Sequence, residues 1–286
     1  HSLGIKADSV NFNFSEIMQR KNRVVQTLRN SLEQLIKANK IEIFKGKASF
    51  ISDHEIEIAD ENLTISAEKI IIATGSQPKK LPGIEYDDKI HDSSSLLNLS
   101  ELPQSLAIIG GGYIGCEFAD LFNALGVKVT IIEQLPSLLA SMEVEISKTL
   151  TQEFQRKNIN VKTDQIIQKI EKDRNGIFIH LENEEVFAEK LLIAIGREIV
   201  CDIQLDKTAV LQENDGRIPV NEYCQTNVPH IYAIGDVTKK ALLAHVASKQ
   251  AEIAVQHIHN NRETLNENSI PSVVYTTPEI ASVGLT

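Results

Sequence analysis

Apolar residues recur at steps of three and four through Phe14, Ile17, Met18, Val25, Leu28, Leu32, Leu35 and Ile36. That spacing holds them on one stripe and predicts a single long amphipathic helix ending near Asn39. The period then drops to two. The runs Ile41-Glu42-Ile43-Phe44, Ala48-Ser49-Phe50-Ile51, Glu55-Ile56-Glu57-Ile58 and Leu63-Thr64-Ile65 alternate, and turn residues separate them (Lys45-Gly46, Ser52-Asp53, Asp60-Glu61-Asn62). An antiparallel meander is predicted there. Lys69-Ile70-Ile71-Ile72-Ala73 is apolar without alternation, as in a strand covered on both faces.

Residues 76–103 are polar, with three prolines and Ser93-Ser94-Ser95, and are read as a connection between domains. A second α/β region follows. Ser105-Leu106-Ala107-Ile108-Ile109 is a predicted strand, residues 113–125 a helix closed by Gly126, residues 127–132 a strand, and residues 143–158 a helix. Asn175-Gly176 before Ile177-Phe178-Ile179-His180-Leu181 predicts a hairpin. The buried run Leu191-Leu192-Ile193-Ala194-Ile195 leads into Gly196-Arg197, and His230-Ile231-Tyr232-Ala233-Ile234 leads into Gly235-Asp236 and a helix over 242–260. Strands alternating with helices make this an α/β chain with mainly parallel sheets.

A length of 286 residues suits about two domains. Hydrophobic residues at 42% and charged residues at 24% are those of a globular protein, and a net charge of −10 argues against nucleic acid or an anionic membrane as the main partner. No apolar run reaches the about 18 residues a spanning helix needs. Cys116, Cys201 and Cys224 fit neither C-x-x-C nor a zinc spacing, so buried thiols in a reducing compartment are expected, with no metal site. The start His1-Ser2-Leu3-Gly4-Ile5 reads as a tag scar or a cut inside a longer protein, and the β-branched run Ser272-Val273-Val274-Tyr275-Thr276-Thr277 as a strand left without a partner; truncation at both ends is the expectation.

The sharpest chemistry lies at Gly110-Gly111-Gly112-Tyr113-Ile114-Gly115. This G-x-G-x-x-G follows a buried strand and opens a helix, and Glu133 closes the next strand 18 residues after Gly115. Gly110 permits the tight turn, Gly112 lets backbone approach a pyrophosphate, and Gly115 lets the helix pack close to the strand. Unpaired N–H groups and the positive end of the helix dipole face the phosphates. Glu133 can accept both hydroxyls of an adenosine ribose. A 2′-phosphate would meet its charge, and Gln134-Leu135-Pro136-Ser137 offers no basic residue, so NAD is expected over NADP.

Ala73-Thr74-Gly75-Ser76, Gly235-Asp236 and Leu243-Ala244-His245 are weak motifs singly. In this order, however, the chain resembles the two-dinucleotide flavin-linked disulfide reductases along nearly its whole length, and most of all their dihydrolipoamide dehydrogenase branch. The likeness is carried by Ile70-Ile71-Ile72-Ala73-Thr74-Gly75-Ser76-Gln77-Pro78, by residues 108–117, by Leu192-Ile193-Ala194-Ile195-Gly196-Arg197 and by Gln225-Thr226-Asn227-Val228-Pro229-His230-Ile231-Tyr232-Ala233-Ile234-Gly235-Asp236.

The resemblance implies tandem Rossmann-like domains with meander insertions: a partial FAD domain over 1–90, an NAD domain over 91–217, a segment returning to the FAD domain over 218–268, and the start of an interface domain over 269–286. It implies that Gly46, Thr74, Gly75, Ser76, Asp236, Leu242, Leu243, Ala244 and His245 lie along FAD, with Asp236 on the ribityl chain. Residues 110–117 (Cys116 and Glu117 with the fingerprint) and Gly196 would line the NAD site. Tyr113 matches a ring that covers the flavin in some relatives, and Glu117 an acid that pairs with a lysine near the redox disulfide. Both would support catalysis rather than perform it.

The family also carries an earlier G-x-G-x-x-G for FAD, a C-x-x-x-x-C disulfide and a His-x-x-x-x-Glu acid/base pair on its interface domain. These 286 residues hold neither that earlier fingerprint nor a C-x-x-x-x-C, and the stretch 269–286 holds no histidine for such a pair. Cys116 is accordingly read as packing, and FAD is expected to bind weakly or not at all to this chain by itself. The implied parent is a homodimer that oxidises dihydrolipoyl groups carried by lipoyl domains of 2-oxoacid dehydrogenase complexes, in a bacterial cytoplasm or a mitochondrial matrix. An NAD(P) transhydrogenase, another flavin reductase, or a nucleotide-binding module without catalysis are the alternatives.

Overall fold

A computed structural model describes residues 11–238 and 241–284. The long helix α1 spans Phe14–Ala38, opened by Asn13, whose side chain accepts the Glu16 N–H. None of its residues is buried, and the apolar stripe from Val24 to Leu35 is exposed. Strands β1 (Ala48–Ser52), β2 (Glu55–Ile58) and β3 (Leu63–Ser66) form the antiparallel meander. The run 41–44 is no strand, contrary to expectation. Its alternation is right, but no described strand pairs with it, and Ile41, Ile43 and Phe44 stay exposed.

β4 (Ile70–Ile72) is covered on both sides as its composition predicts. Ile70 and Ile72 pack with Phe50, Ile218 and Val237, while Ile71 meets Tyr232 and Ile253. The stretch read as a plain connection carries β5 (Ser76–Pro78), β6 (Ile90–His91) and a capped turn of helix, α2 (Ser93–Leu96). The expected boundary at 90/91 therefore cuts through β6. Burial pushes the Asp87 carboxyl up, but Lys172 and the N–H groups of Lys89 and Ile90 outweigh it and hold the carboxyl at about 2.

β7 (Ser105–Ile109), α3 (Tyr113–Ala124), β8 (Lys128–Ile132), α4 (Val144–Arg156) and β9 (Asn160–Lys162) follow as two β-α-β crossovers. Next come the meander β10 (Lys169–Lys172), β11 (Ile177–His180) and β12 (Glu185–Ala188), then β13 (Lys190–Ile193) and β14 (Arg197–Ile199). The predicted hairpin is present, but residues 173–176 form its loop rather than Asn175-Gly176 alone. Asp173 Oδ1 accepts the N–H groups of both Asn175 and Gly176, an Asx-type turn that needs no left-handed residue.

The largest sheet is wholly parallel, in the order β6-β13-β7-β8-β9. Successive residues of β7 serve opposite faces. Leu106 and Ile108 pack with Phe118, Phe122, Leu150 and Phe154 of α3 and α4. Ala107 and Ile109 pack with Ile177, Ile179, Val186 and Ala188 of the second meander. Helices thus cover one face and a β-meander the other. The strand order turns back at β7, with β8 and β9 on one side and β13 on the other, and in such sheets ligands bind beyond the carboxyl ends of the strands at that point.

The chain then forms β15 (Ile231–Ala233), parallel to β4, α5 (Ala244–Ile258), β16 (Ser272–Val274) and β17 (Ile280–Ser282). The run at 272–277 was expected to lack a partner; β16 in fact pairs antiparallel with β17. Parallel pairing is confined to the five-stranded sheet and the β4–β15 pair, and the other four sheets among the described residues are antiparallel. No described helix is long and apolar enough to cross a membrane.

Candidate dinucleotide sites

The fingerprint turn sits where β7 ends. Gly110 has φ +109°, and a Cβ there would overlap the Ala194 carbonyl beyond β13. A Cβ on Gly115 would overlap the Gly110 carbonyl. Both glycines are required by close backbone approach. Gly112 differs: a Cβ there meets nothing within 4 Å, so its surface is open. It is also the N-cap of α3 and supplies no side-chain acceptor, leaving the first-turn N–H groups free to receive an anion.

Glu133 is half-buried just past β8. Its Oε2 accepts the Gly111 N–H at 2.5 Å and its Oε1 the Leu135 N–H at 2.8 Å. The carboxylate is thereby held against the fingerprint turn, with acceptor lone pairs to spare. Leu139 N–H donates to the Gly111 carbonyl at 2.8 Å, closing the turn from the other side.

Tyr113 and Ile114 are half-buried at the helix start, and Tyr113 packs on the main core. Cys116 is fully buried, so its side chain lies beneath the turn and not on its open side. Its thiol donates to the Gly111 carbonyl at 3.3 Å, and burial, then Glu133 and Glu117, push its pKa far up. Its contribution is packing. Glu117 finds a partner that the sequence did not indicate. Its Oε1 accepts the Tyr275 N–H at 2.9 Å.

A second group gathers around β5. Gly75 has φ +72°, and its carbonyl accepts the Val200 N–H at 3.0 Å. Ser76 Oγ donates to Asp236 Oδ2. Arg197 completes the cluster: Nε donates to Ser76 Oγ and Nη2 to the Ser76 carbonyl, each at 2.7 Å, with Nε 3.8 Å from Asp236 Oδ2. The Thr74 hydroxyl beside them is buried without a hydrogen-bond partner. Sequence reading assigned Arg197 no role. Its one signal was its position directly after Gly196, where a buried strand ends.

Gly235 donates its N–H to Gln250 Oε1 of α5 at 2.6 Å, fixing Asp236 relative to that helix. α5 begins after Leu242 and Leu243 with no side-chain cap, and Ala244 and His245 are exposed in its first turn. His245 Nε2 bonds the Pro271 carbonyl at 2.9 Å. Gly46, with φ +151°, lies in the exposed turn before β1, apart from these clusters in the hydrogen-bond pattern. Among the described residues no group of three or more His, Cys, Asp or Glu could hold a metal.

Comparison with known proteins agrees with this architecture. Dihydrolipoyl dehydrogenase of Chlamydia pneumoniae is 44% identical over 285 residues, which is 99% of this chain and 62% of the relative. Dihydrolipoyl dehydrogenase of Chlamydia trachomatis serovar D is 43% identical over 290 residues, again 99% and 62%. The chain therefore spans 62% of the length of these curated relatives. The HOCl-induced flavoprotein disulfide reductase RclA of Escherichia coli superposes with a TM-score of 0.90 at 31% identity, over 96% of this chain and 64% of that one. Residues 5–251 match the sequence family described as pyridine nucleotide-disulphide oxidoreductase, which takes in the fingerprint, Glu133, Gly196 and the Ser76–Asp236 cluster alike. The chain belongs to the pyridine nucleotide-disulphide oxidoreductase family.

Proposed function

We propose that these residues form the NAD(H) site and part of the FAD site of a dihydrolipoyl dehydrogenase. The observation that carries the NAD half is the fingerprint turn with Glu133 bonded to Gly111 N–H beside an open, uncapped helix start. The N–H groups at Gly112 and Tyr113 would hold the pyrophosphate, and Glu133 would accept from the adenosine ribose. Gly196 would border the nicotinamide. Cys116 and Gly115 support the turn from below.

For FAD the test of fit is the buried Thr74 hydroxyl. It lacks a partner, and such groups are costly unless a ligand or water completes them. Thr74, Gly75, Ser76 and Asp236 would hold the flavin's polar chain, with residues 242–245 at the ring and Gly46 near its adenosine. When bound, FAD supplies the two-electron transfer between a thiol pair and nicotinamide. The chain's own part is to bind and orient. Asp236 is an acceptor braced by Ser76 and Arg197, and the start of α5 presents a positive dipole end to negative charge.

On this reading the substrate is a dihydrolipoyl group on the lipoyl domain of a 2-oxoacid dehydrogenase complex, and the working form is a homodimer. Residues 1–286 by themselves bind NAD(H) without turnover, because Cys116, Cys201 and Cys224 contain no C-x-x-x-x-C pair to exchange with the substrate. The likeness to RclA favours a second reading, in which a flavoprotein of the same build reduces a different disulfide.

The deciding experiment is an assay of the protein as its gene encodes it, with dihydrolipoamide and NAD⁺. Lipoamide-dependent NADH formation is expected. NADH-dependent reduction of other disulfides, with none of lipoamide, would favour the second reading, and NADPH-to-NAD⁺ transfer alone would favour a transhydrogenase.

A further inference from the structure

The five-stranded sheet fixes the direction in which a dinucleotide must run. Its order puts β8 on one side of β7 and β13 on the other. Glu133 stands past the end of β8, and Gly196 past the end of β13, where Ile193 pairs opposite Ile109. A ligand with its pyrophosphate at Gly112 and its adenosine on Glu133 therefore sends its other half across β7 toward Gly196. An added Cβ at Gly196 meets nothing within 4 Å, so that side is open as well.

Gly196 is held in place from outside the sheet. Its carbonyl accepts the Lys79 N–H at 3.0 Å, and β14, which starts at Arg197, pairs with β5 over three residues only. So short a ladder is marginal without further support. Arg197 supplies it through two parallel donors to Ser76, at 2.7 Å each, and through its closeness to Asp236. Such forked, charge-assisted bonds fix orientation more firmly than a neutral bond.

We propose that Arg197 is a positioning residue for the nicotinamide end of the NAD site, bracing the Gly196 turn against Ser76 and Asp236. This rests on the NAD reading above and adds a residue that touches neither the fingerprint nor Glu133. The adenosine end, built by β7, α3 and β8, is independent of it.

ADP-ribose ends before the nicotinamide and separates the two halves. Calorimetric titration of the chain is expected to show NADH binding more tightly than ADP-ribose. Arg197→Met should weaken NADH by about tenfold while leaving ADP-ribose within about twofold, since one charged hydrogen-bonded contact carries roughly that weight. Arg197→Lys, which keeps the charge but not the fork, should fall between. Equal wild-type affinities, or an unchanged NADH to ADP-ribose ratio in Arg197→Met, would overturn the assignment. Should Arg197→Met lose both ligands through misfolding, Ser76→Ala decides the matter: selective weakening of NADH supports the brace, and an unchanged ratio refutes it. If neither ligand binds the unmutated chain, the NAD reading itself has failed, which is a separate result.

Discussion

Gly110→Ala should cost the fold about 3 kcal/mol or more and weaken NADH by at least about a hundredfold. Two penalties coincide at this position. Its φ of +109° is one that L side chains rarely adopt, and the new methyl would overlap the Ala194 carbonyl. Ala194 itself is tied to the end of β7, its N–H bonded to Ile109 O at 2.8 Å, so relief of the overlap has to come from shifting backbone rather than a flexible side chain. Gly115→Ala should behave similarly through overlap with the Gly110 carbonyl, whereas Gly112→Ala meets open space and should leave stability nearly unchanged. Thermal unfolding and NADH titration of the three variants check the ranking. A Gly110→Ala protein as stable as its parent would show that the turn is not built this way.

NADH should bind at least about tenfold more tightly than NADPH, a gap of roughly 1.4 kcal/mol or more. The carboxylate of Glu133 would face the 2′-phosphate at close range, and the four residues after it supply no positive charge. Glu133→Ala should narrow the gap, but it also strips acceptors from the N–H groups of Gly111 and Leu135, so NADH itself should weaken. Glu133→Gln separates the two effects. It keeps one acceptor on the turn and removes the charge, so it should narrow the gap with a smaller loss of NADH affinity. Equal affinities for the two cofactors in the unmutated chain, measured by calorimetry, would sink the specificity argument.

The parts that could be read in advance are those where local chemistry and long-range packing ask for the same residue. The unit β7-α3-β8 is one. Gly110 and Gly115 are demanded by backbone contacts, its strands are apolar because both faces are covered, and Gly126 ends the helix. The α1 helix is legible from its three- and four-residue apolar spacing alone, since none of its residues is buried.

What stayed hidden depends on partners remote in sequence. Residues 41–44 alternate like a strand, yet pairing requires an edge, and no described strand offers them one. Arg197 reads as one cation after a glycine until β14 comes to lie on β5, 121 residues away in the chain, and aims it at Ser76. Glu117 likewise gained the Tyr275 N–H from a segment 158 residues on. Asn175-Gly176 misled in a smaller way, because Asp173 just before it captured both N–H groups and set a longer loop.

The most direct test of the central claim is a crystal structure of the chain grown with NADH. The pyrophosphate is expected against the N–H groups of Gly112 and Tyr113, the adenosine ribose on the Glu133 carboxylate, and the nicotinamide toward Gly196. A dinucleotide lying instead along Thr74, Ser76 and Asp236, or density absent from the start of α3 at saturating NADH, would contradict the account.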